Sequence, residues 1–275
     1  MSRSYRKNIA EDTLATLERG SYVNQQGVEI SIREEQAFAV ANTKLYRPEE
    51  SDALLQTIQN QQANFETRIE VTPETSLDAV RRLIQVGESE VFCLNFASAK
   101  NPGGGFLGGS QAQEESIARS TGLYPCQLAV FDYYTINRKT KTCLYTDHMI
   151  YSPRVPILKD EEGDYADQLM TVSILTAPAV NAGIVRKREP RHVKKIKEVM
   201  RHRIAKVLAI AKHHEHEVLV LGAWGCGVFQ NDPQEIAQYF REVLEEQFKG
   251  QFRKIVFAIY AKNPRFITPF QQQFM

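Results

Sequence analysis

The stretch VFCLNFASAKNPGGGFLGGSQAQEESIARSTGLY, Val91 to Tyr124, joins an apolar run to a helical pattern through a glycine-rich loop. The apolar run VFCLNFA is continuous, which predicts a strand buried on both faces of a sheet. The loop contains three consecutive glycines, and two adjacent glutamates follow, Glu114 and Glu115. In an open α/β sheet, a loop between a strand and the next helix lies at the carboxyl edge, where ligands bind. The stretch therefore predicts a binding site that contains carboxylates.

Apolar strand-like runs alternate with helical patterns along much of the remaining chain, which predicts an α/β fold with helices on the faces of a sheet. Further strands are predicted from Met170, Glu217 and Lys254. Helices are predicted over 4–19, 76–87, 190–214 and 232–248, and a partly alternating strand over 27–40. No repeat or Pro/Ser-rich linker interrupts the sequence. We therefore expect one domain, residues 1–275, with residues 1–70 as an N-terminal accessory region.

Composition and charge exclude several classes of protein. The chain of 275 residues is 43% hydrophobic, and its 34 Lys and Arg residues nearly balance 33 Asp and Glu residues. A net charge of +1 provides no overall attraction to nucleic acid or membranes, so we expect no direct DNA binding and no membrane partner. The four cysteines form no C-x-x-C pair and the N-terminus lacks the apolar core of a signal peptide. A cytoplasmic protein with reduced thiols is expected.

The glycines of the first loop, Gly103–Gly105, allow positive φ angles and a close approach of backbone N–H groups to a phosphate or a sugar. Ser110 and Gln113 match the S-x-x-Q form of a capping box, which predicts a helix start near Gln111. The glutamine and both glutamates would then lie in the first two turns. A tight turn followed by an acidic first helical turn is the alternative explanation of this pattern.

A second glycine-rich segment, GAWGCGVFQND, follows the strand predicted from Glu217 and precedes the helix that begins at Asp232. Gly225 and Gly227 leave backbone N–H groups free at the start of that helix, an arrangement that suits a diphosphate. Phe229 would close one side with an aromatic surface, although an aromatic residue here also fits a core position. Neither loop matches G-x-G-x-x-G or G-x-x-x-x-G-K-[ST], so the usual dinucleotide and P-loop sites are excluded.

The two neighbouring glutamates suit two different tasks. Adjacent residues on a helix point about 100° apart, so Glu114 and Glu115 cannot serve one atom symmetrically. One carboxylate can hold a hydroxyl-rich ligand while the other transfers protons at a neighbouring oxygen or water. This differs from the usual glycosidase, in which two carboxylates stand roughly 5 to 10 Å apart across the scissile bond.

The segment GGGFLGGSQAQEE, Gly103 to Glu115, is similar to the GGG-x(6 to 8)-QEE signature of poly(ADP-ribose) glycohydrolases. The segments NFASAKNPGGGF, YTDHMIYSPRVPIL, TAPAVNAG and GAWGCGVFQNDP resemble the bacterial-type branch of that family. The resemblance implies a macrodomain-like fold, a three-layer α/β/α sandwich with a mixed central sheet. It also implies that ADP-ribose binds at the carboxyl edge of this sheet.

The resemblance also assigns roles to residues. Glu115 is implied to be the catalytic acid and base, and Glu114 to hold ribose hydroxyls. The implied substrate-binding residues are Gly103, Gly104, Gly105, Gln113, Asn181, Gly225, Cys226, Gly227, Val228 and Phe229. Protonated Glu115 would donate to the leaving 2′-hydroxyl oxygen, and its carboxylate would then activate water. This reaction needs no metal and no cofactor.

Hydrolysis of poly(ADP-ribose), with exo action and release of ADP-ribose, is the leading interpretation, and ADP-ribosylated proteins are the implied partners. Two alternatives stay open. A non-catalytic macrodomain that reads ADP-ribose would need the glycine loops but not Glu115. A hydrolase of mono-ADP-ribosyl esters or of O-acetyl-ADP-ribose would keep the catalytic residues and change the substrate.

Three further features carry less weight. HHEH, at 213–216, lies at the C-terminus of a predicted helix, where the helix dipole stabilises histidine, and no other ligands have suitable spacing, so no metal site is predicted. Cys226 has no histidine base near it in sequence and is interpreted as a small packing residue. A basic set fits a solvated helix face, or alternatively attraction to an anionic polymer: Arg186, Lys187, Arg188, Arg191, Lys194, Lys195 and Lys197.

Overall fold

The computed structural model describes residues 1–58 and 64–275. The strands are β1 (Ser21–Val23), β2 (Glu29–Ser31), β3 (Lys44–Tyr46), β4 (Arg68–Thr72), β5 (Phe92–Phe96), β6 (Met149–Lys159), β7 (Tyr165–Ala177), β8 (Val218–Leu221) and β9 (Lys254–Ala258). The α-helices are α1 (Arg3–Arg19), α2 (Arg33–Ala41), α3 (Pro48–Ile58), α4 (Ser76–Gln85), α5 (Gln113–Ser120), α6 (Leu123–Ala129), α7 (Asp132–Lys139), α8 (Ala182–Arg188), α9 (Ile196–His213), α10 (Pro233–Gln247) and α11 (Thr268–Phe274). Short 3₁₀ segments occur at Phe106–Gly108, Pro190–Lys195 and Pro264–Phe266.

Among the described residues, seven strands form the main sheet in the order β3-β6-β7-β5-β8-β9-β4. The strands from β7 to β4 in this order run parallel to one another. β6 is antiparallel to β7, and β3 is antiparallel to β6. The central sheet is therefore mixed, as expected. β1 and β2 pair separately as a two-stranded antiparallel sheet.

Successive residues of the central strands point to opposite faces of the sheet, and each face has its own core. On β8, Leu219 and Leu221 pack in a cluster with apolar residues of α9 and α10. Val218 and Val220 pack in a second cluster with apolar residues of α4. Helices therefore cover both faces, and the predicted three-layer α/β/α architecture is confirmed.

Most of the predicted elements lie where the sequence placed them. The strands predicted from Val91, Met170, Glu217 and Lys254 correspond to β5, β7, β8 and β9. Helix α10 begins as its capping pattern predicted, because the Asp232 side chain accepts the N–H of Gln234 at 2.9 Å. These elements are determined by local patterns, which explains why the sequence was sufficient to find them.

Other boundaries were wrong for local reasons. The strand predicted over 27–40 is the short β2 followed by α2, whose first turn contains Glu34 and Glu35, residues that favour a helix N-terminus. The helix predicted over 190–214 begins at Ile196, after a 3₁₀ segment. β6 was not predicted, because it contains Pro153 and Pro156; its pairing with β7 shifts register around the first of these prolines.

The first 70 residues contain β3 and the beginning of β4, the two edge strands of the main sheet. They also supply α1, which is capped by the Ser2 side chain and ends at Gly20 with a φ of +77°. The division into a core and an accessory region stays a prediction. Within 1–58 and 64–275, no helix combines the length and the apolar character needed to cross a membrane.

Candidate active site

The two glycine-rich segments lie at one edge of the sheet. β5 pairs with both β7 and β8 in parallel, so the loops that follow these strands leave the sheet side by side. The segment before β6 reaches the same edge, because the carbonyl of Cys143 accepts the N–H of Asn181 at 2.9 Å. The candidate active site consists of the first loop, the second loop, the segment before β6 and the segment after β7.

The first loop, residues 103–110, folds against both glutamates. Gly103 and Gly104 have φ angles of +63° and +60°, which favour glycine. A methyl group at Gly104 would overlap Glu115 Oε1 and would lie 3.1 Å from Glu114 Oε2. The N–H of Gly105 donates to Glu115 Oε1 at 2.9 Å. These glycines therefore allow backbone to approach two side-chain carboxyl groups.

The helix that carries the glutamates begins at Gln113, not near Gln111 as the capping-box pattern predicted. Ala112 is its N-cap residue, and no side chain caps it. The Gln113 side chain instead accepts the N–H of Phe96 at 2.8 Å and donates to the carbonyl of Leu94 at 2.7 Å. The capping-box prediction was wrong because this amide satisfies backbone groups near the end of β5. Gln113 thus anchors α5 to the strand.

Glu114 lies inside the protein, with only 3% of its surface exposed. The N–H of Ser98 donates to Oε2 at 2.6 Å, and the amides of Asn95 and Gln127 donate to Oε1 at 3.3 and 3.2 Å. Both amides also donate to the hydroxyl of Thr176. Burial raises the pKa of Glu114 to about 8 even though these hydrogen bonds favour the charged form. Glu114 is therefore mostly protonated at neutral pH.

Glu115 has a different environment from its neighbour. Its side chain is only partly buried. Among the described residues, the N–H of Gly105 is the one protein donor to Glu115, and it uses Oε1. Oε2 is left available to a ligand. The two carboxyl groups thus point in different directions, as helix geometry requires, and only Glu115 combines partial exposure with a free oxygen.

The second loop, residues 222–231, is held by its own Asn231 and by contacts with the segment after β7. Gly225 has a φ of +73°, and a methyl group there would overlap the Cβ of Ala179 and lie 2.6 Å from Asn231 Nδ2. The Asn231 side chain donates to the carbonyls of Gly225 and Val180 at 3.0 and 2.7 Å. Glycine at 225 therefore permits close packing between the loops that follow β7 and β8.

Beyond Cys226, the second loop presents its backbone to solvent. Within the part of the chain that the structure describes, the N–H groups of Gly227, Val228 and Phe229 have no protein acceptor. The Val228 side chain is 80% exposed. Successive free N–H groups form a concave site that favours anions. Cys226 is buried in contrast, and burial raises the pKa of its thiol, which gives it the character of a packing residue.

Phe229 and Asn181 lie beside Tyr145, a residue that the sequence did not mark. The rings of Tyr145 and Phe229 have centroids 5.9 Å apart. Tyr145 has a φ of +57°, which is rare for a residue with a side chain and recurs at functional sites. The Asn181 side chain accepts the N–H of Ile184 at 3.2 Å and caps α8. Tyr145 is the first residue of YTDHMIYSPRVPIL, one of the segments on which the family resemblance rests. No local sequence pattern distinguishes Tyr145 from its neighbours.

The polar residues around Glu114 were also not predicted. Asn95 lies on β5, Gln127 on α6 and Thr176 on β7, and all three are buried. A polar residue inside a continuous apolar run, such as Asn95 in VFCLNFA, is the signal that could have found them, because a buried amide needs a partner. Their convergence on one carboxyl group depends on the packing of three separate elements.

The histidines of HHEH have structural partners. His214 Nε2 and the Tyr46 hydroxyl lie 2.8 Å apart, as do His216 Nε2 and the Tyr151 hydroxyl. Burial lowers the pKa of His214 to about 4, so this ring is neutral at physiological pH. Among the described residues, no group of three His, Cys, Asp or Glu side chains is arranged to hold a metal ion. These histidines connect the end of α9 to β3 and β6.

The basic set near the second loop is exposed. It consists of Arg186, Lys187, Arg188, Arg191, Lys194, Lys195 and Lys197. Arg186 contacts the second loop, because its guanidinium donates to the carbonyl of Gln230 at 2.8 Å. A role of this set in attracting an anionic polymer stays a prediction.

Comparisons with known proteins agree with this geometry. The family described as microbial-type PARG, catalytic domain, matches residues 10–160, which include the first loop and both glutamates. No curated protein matches the sequence.

Solved structures resemble nearly the whole chain. Poly(ADP-ribose) glycohydrolase (PARG) from Thermomonospora curvata is 45% identical, with a TM-score of 0.94 over 98% of this chain and 99% of that chain. The same protein bound to the inhibitor ADP-HPD is similar with a TM-score of 0.91, 45% identity and the same coverage. PARG from Deinococcus radiodurans in complex with ADP-ribose is 43% identical, with a TM-score of 0.82 over 86% of this chain and 96% of that chain. The predicted macrodomain-like fold is confirmed.

Proposed function

The chain belongs to the microbial-type poly(ADP-ribose) glycohydrolase family, and on this premise we propose that it hydrolyses the ribose–ribose O-glycosidic bonds of poly(ADP-ribose) and releases ADP-ribose. One observation carries the proposal. Glu115 is held by the N–H of Gly105 at 2.9 Å, next to a second glutamate that is buried and already hydrogen-bonded. This arrangement provides one carboxyl group for proton transfer and one that stays in place.

Glu115 acts as the acid and the base of the proposed reaction. In its protonated form it donates to the 2′-hydroxyl oxygen that leaves from the penultimate ADP-ribose, while the terminal ribose develops oxocarbenium character at C1″. The resulting carboxylate then removes a proton from the attacking water. The hydrogen bond from Gly105 engages Oε1, so Oε2 is the oxygen that we assign to both transfers.

Glu114 holds ribose hydroxyls in the proposed complex. Its pKa of about 8 leaves it mostly neutral at pH 7, so it adds little negative charge beside Glu115. A neutral carboxyl group can donate one hydrogen bond and accept others, which matches a sugar hydroxyl better than an acceptor-only carboxylate does. Three donors from Ser98, Asn95 and Gln127 fix its orientation.

The second loop binds the diphosphate in this proposal. Its free N–H groups at Gly227, Val228 and Phe229 supply donors without any need for a metal or a cofactor. Phe229, half-buried beside Tyr145, lies against the terminal ribose. We propose exo action on the polymer, and ADP-ribosylated proteins as the partners on which it acts.

The test compares the wild type with Glu115→Gln, which keeps the shape of the side chain and removes its acid and base function. We expect wild-type protein to release free ADP-ribose from poly(ADP-ribose), and the variant to lose roughly 10²- to 10⁴-fold in rate, the usual contribution of a general acid–base group. Binding of ADP-ribose, measured by calorimetry, serves as the control for folding and should persist in the variant.

Three results would contradict parts of the proposal. Binding of ADP-ribose by both proteins without release by either would make the chain a reader. Wild-type activity on a mono-ADP-ribosyl ester but not on the polymer would change the substrate class. Oligomeric products in place of free ADP-ribose would replace exo action by internal cleavage.

A further inference from the structure

We propose that the N-terminal helix contributes to catalysis indirectly. Its arginines hold the first loop in the position that orients Glu115. Arg3 and Arg6 are positioning residues in this proposal, and Arg119 of α5 assists them. The inference rests on the proposed function, since it concerns the acid and base of that reaction. It assigns a role to a segment that lies outside the glycine and glutamate signature.

Three consecutive carbonyl groups at the end of the first loop each accept a hydrogen bond from an arginine. Arg3 Nε donates to the carbonyl of Gly108 at 2.8 Å. Arg6 Nε donates to the carbonyl of Gly109, also at 2.8 Å. Arg119 Nη1 donates to the carbonyl of Ser110 at 2.8 Å and brings a third charge to the same short segment. We call this arrangement the arginine clip.

The helix also packs closely against the loop. Gly109 has a φ of +72°, and a methyl group there would overlap the carbonyl oxygen of Arg3. Phe106 of the loop is buried in a small core with Ala10 of α1 and Ala118 of α5. Backbone contact and apolar packing therefore place the two arginines, so the clip does not depend on long side chains alone.

The clip is connected to Glu115 through the loop backbone. The carbonyl of Gly105 accepts the N–H groups of Gly108 and Ser110 at 3.0 and 3.2 Å. The N–H of the same Gly105 holds Glu115 Oε1 at 2.9 Å. A shift of the clipped carbonyls would therefore move Gly105 and release the carboxyl group from its position.

The chemistry of the contacts favours positioning over simple charge pairing. Within residues 1–58 and 64–275, neither Arg3 nor Arg6 forms an ion pair with an acidic side chain. Both use a guanidinium N–H to satisfy a loop carbonyl, and a hydrogen bond from a charged donor is stronger than a neutral one. A small displacement of a catalytic group lowers the rate of the chemical step. Loss of these hydrogen bonds should therefore slow that step.

The experiment uses the full chain with Arg3→Ala and Arg6→Ala combined. Arg3→Lys with Arg6→Lys is the conservative variant, since a lysine retains one charged donor. Lys7→Ala is the matched control, because Lys7 lies on the same helix, is exposed and, among the residues that the structure describes, forms an ion pair only with Glu11, one turn away at 3.4 Å. The readouts are kcat and KM for release of ADP-ribose, thermal midpoint, and hydrogen–deuterium exchange over residues 103–110.

We expect the alanine pair to lower kcat roughly tenfold and to change KM less than about twofold, because the loop orients Glu115 while the second loop binds the diphosphate. Exchange over 103–110 should rise in the alanine pair and stay unchanged in Lys7→Ala. The lysine pair should recover part of kcat. Unchanged exchange and unchanged kcat in the alanine pair would overturn the proposal.

A merely structural role gives a different pattern. A fall in thermal midpoint with kcat preserved, or a loss of kcat that lysine does not restore, would count against positioning. The exchange measurement does not depend on activity. If wild-type protein releases no ADP-ribose, the proposed function fails. Increased exchange in the alanine pair would then still show that the arginine clip holds the loop. Unchanged exchange would overturn the arginine clip as well.

Discussion

The two glycine-rich loops follow neighbouring parallel strands, yet their glycines meet different requirements. In the first loop, Gly104 leaves room for two carboxyl groups, and the N–H of Gly105 is used by Glu115. In the second loop, Gly225 leaves room for the adjoining loop, and the following N–H groups have no protein acceptor among the described residues. The first loop holds the glutamate that we propose as acid and base, whereas the second has backbone donors for the proposed ligand.

The loops are also held in different ways. Side chains from α1 and α5 hold the first loop at three successive carbonyls. The second loop is held by Asn231, whose side chain donates to Gly225 within the loop and to Val180 in the segment after β7. Charged side chains thus hold the first loop at its carbonyls, whereas an amide side chain joins the second loop to the segment after β7.

The largest effect is expected from Gly104→Ala. The new methyl group would overlap Glu115 Oε1 at a φ that disfavours alanine, so it should displace the catalytic carboxyl group. We expect kcat/KM for release of ADP-ribose to fall on the order of a thousandfold, the scale of losing acid–base catalysis. Gly27→Ala is the control, because its φ of +80° imposes the same backbone strain but nothing lies within 4 Å of the added methyl. A similar loss of activity in both variants would attribute the effect to strain alone.

The second prediction concerns the pH dependence of stability at Glu114. Its pKa is raised from 4.5 to about 8 in the folded chain, so between these values the native state holds a proton that the unfolded state has released. The free energy of unfolding therefore decreases as the pH rises through this window. Glu114→Gln removes the dependence and should be more stable than wild type at pH 9 by about 4 kcal/mol, relative to their difference at pH 5.

Urea unfolding of both proteins at the two pH values measures this change. The comparison is informative because Gln preserves the size of the side chain while it cannot ionise. If the difference in unfolding free energy between the two proteins is the same at pH 5 and pH 9, the carboxyl group of Glu114 does not retain its proton in the folded state.

A smaller effect is expected in the second loop. Gly225→Ala would push the loop away from Ala179 and Asn231, which should weaken ADP-ribose binding about tenfold by moving the free N–H groups, with a smaller change in kcat. Gly87→Ala should leave binding unchanged, because its φ of +91° imposes similar backbone strain, nothing lies within 4 Å of the added methyl and the residue lies outside the proposed site. Calorimetry with ADP-ribose measures both. Equal losses in the two variants would mean that the loop is not held at Gly225.

The elements that the sequence predicted correctly share a physical basis. β5 and β8 are continuous apolar runs, and α10 has a cap and a proline at its first position, so short-range preferences sufficed. β6 was missed because it contains two prolines, which are unfavourable inside a central strand. The capping-box prediction failed because the Gln113 amide forms hydrogen bonds with backbone groups of β5 instead.

The sequence by itself determined the alternation of strands and helices, the placement of both glycine loops at one sheet edge, and the presence of two glutamates beside the first of them. Tertiary structure alone decided which glutamate is buried, since its three donors come from β5, the segment that follows β5 and a second helix. It also decided what holds that loop, because Arg3 and Arg6 precede their acceptors by 105 and 103 residues. Contacts of that range depend on packing between elements, which local patterns do not encode.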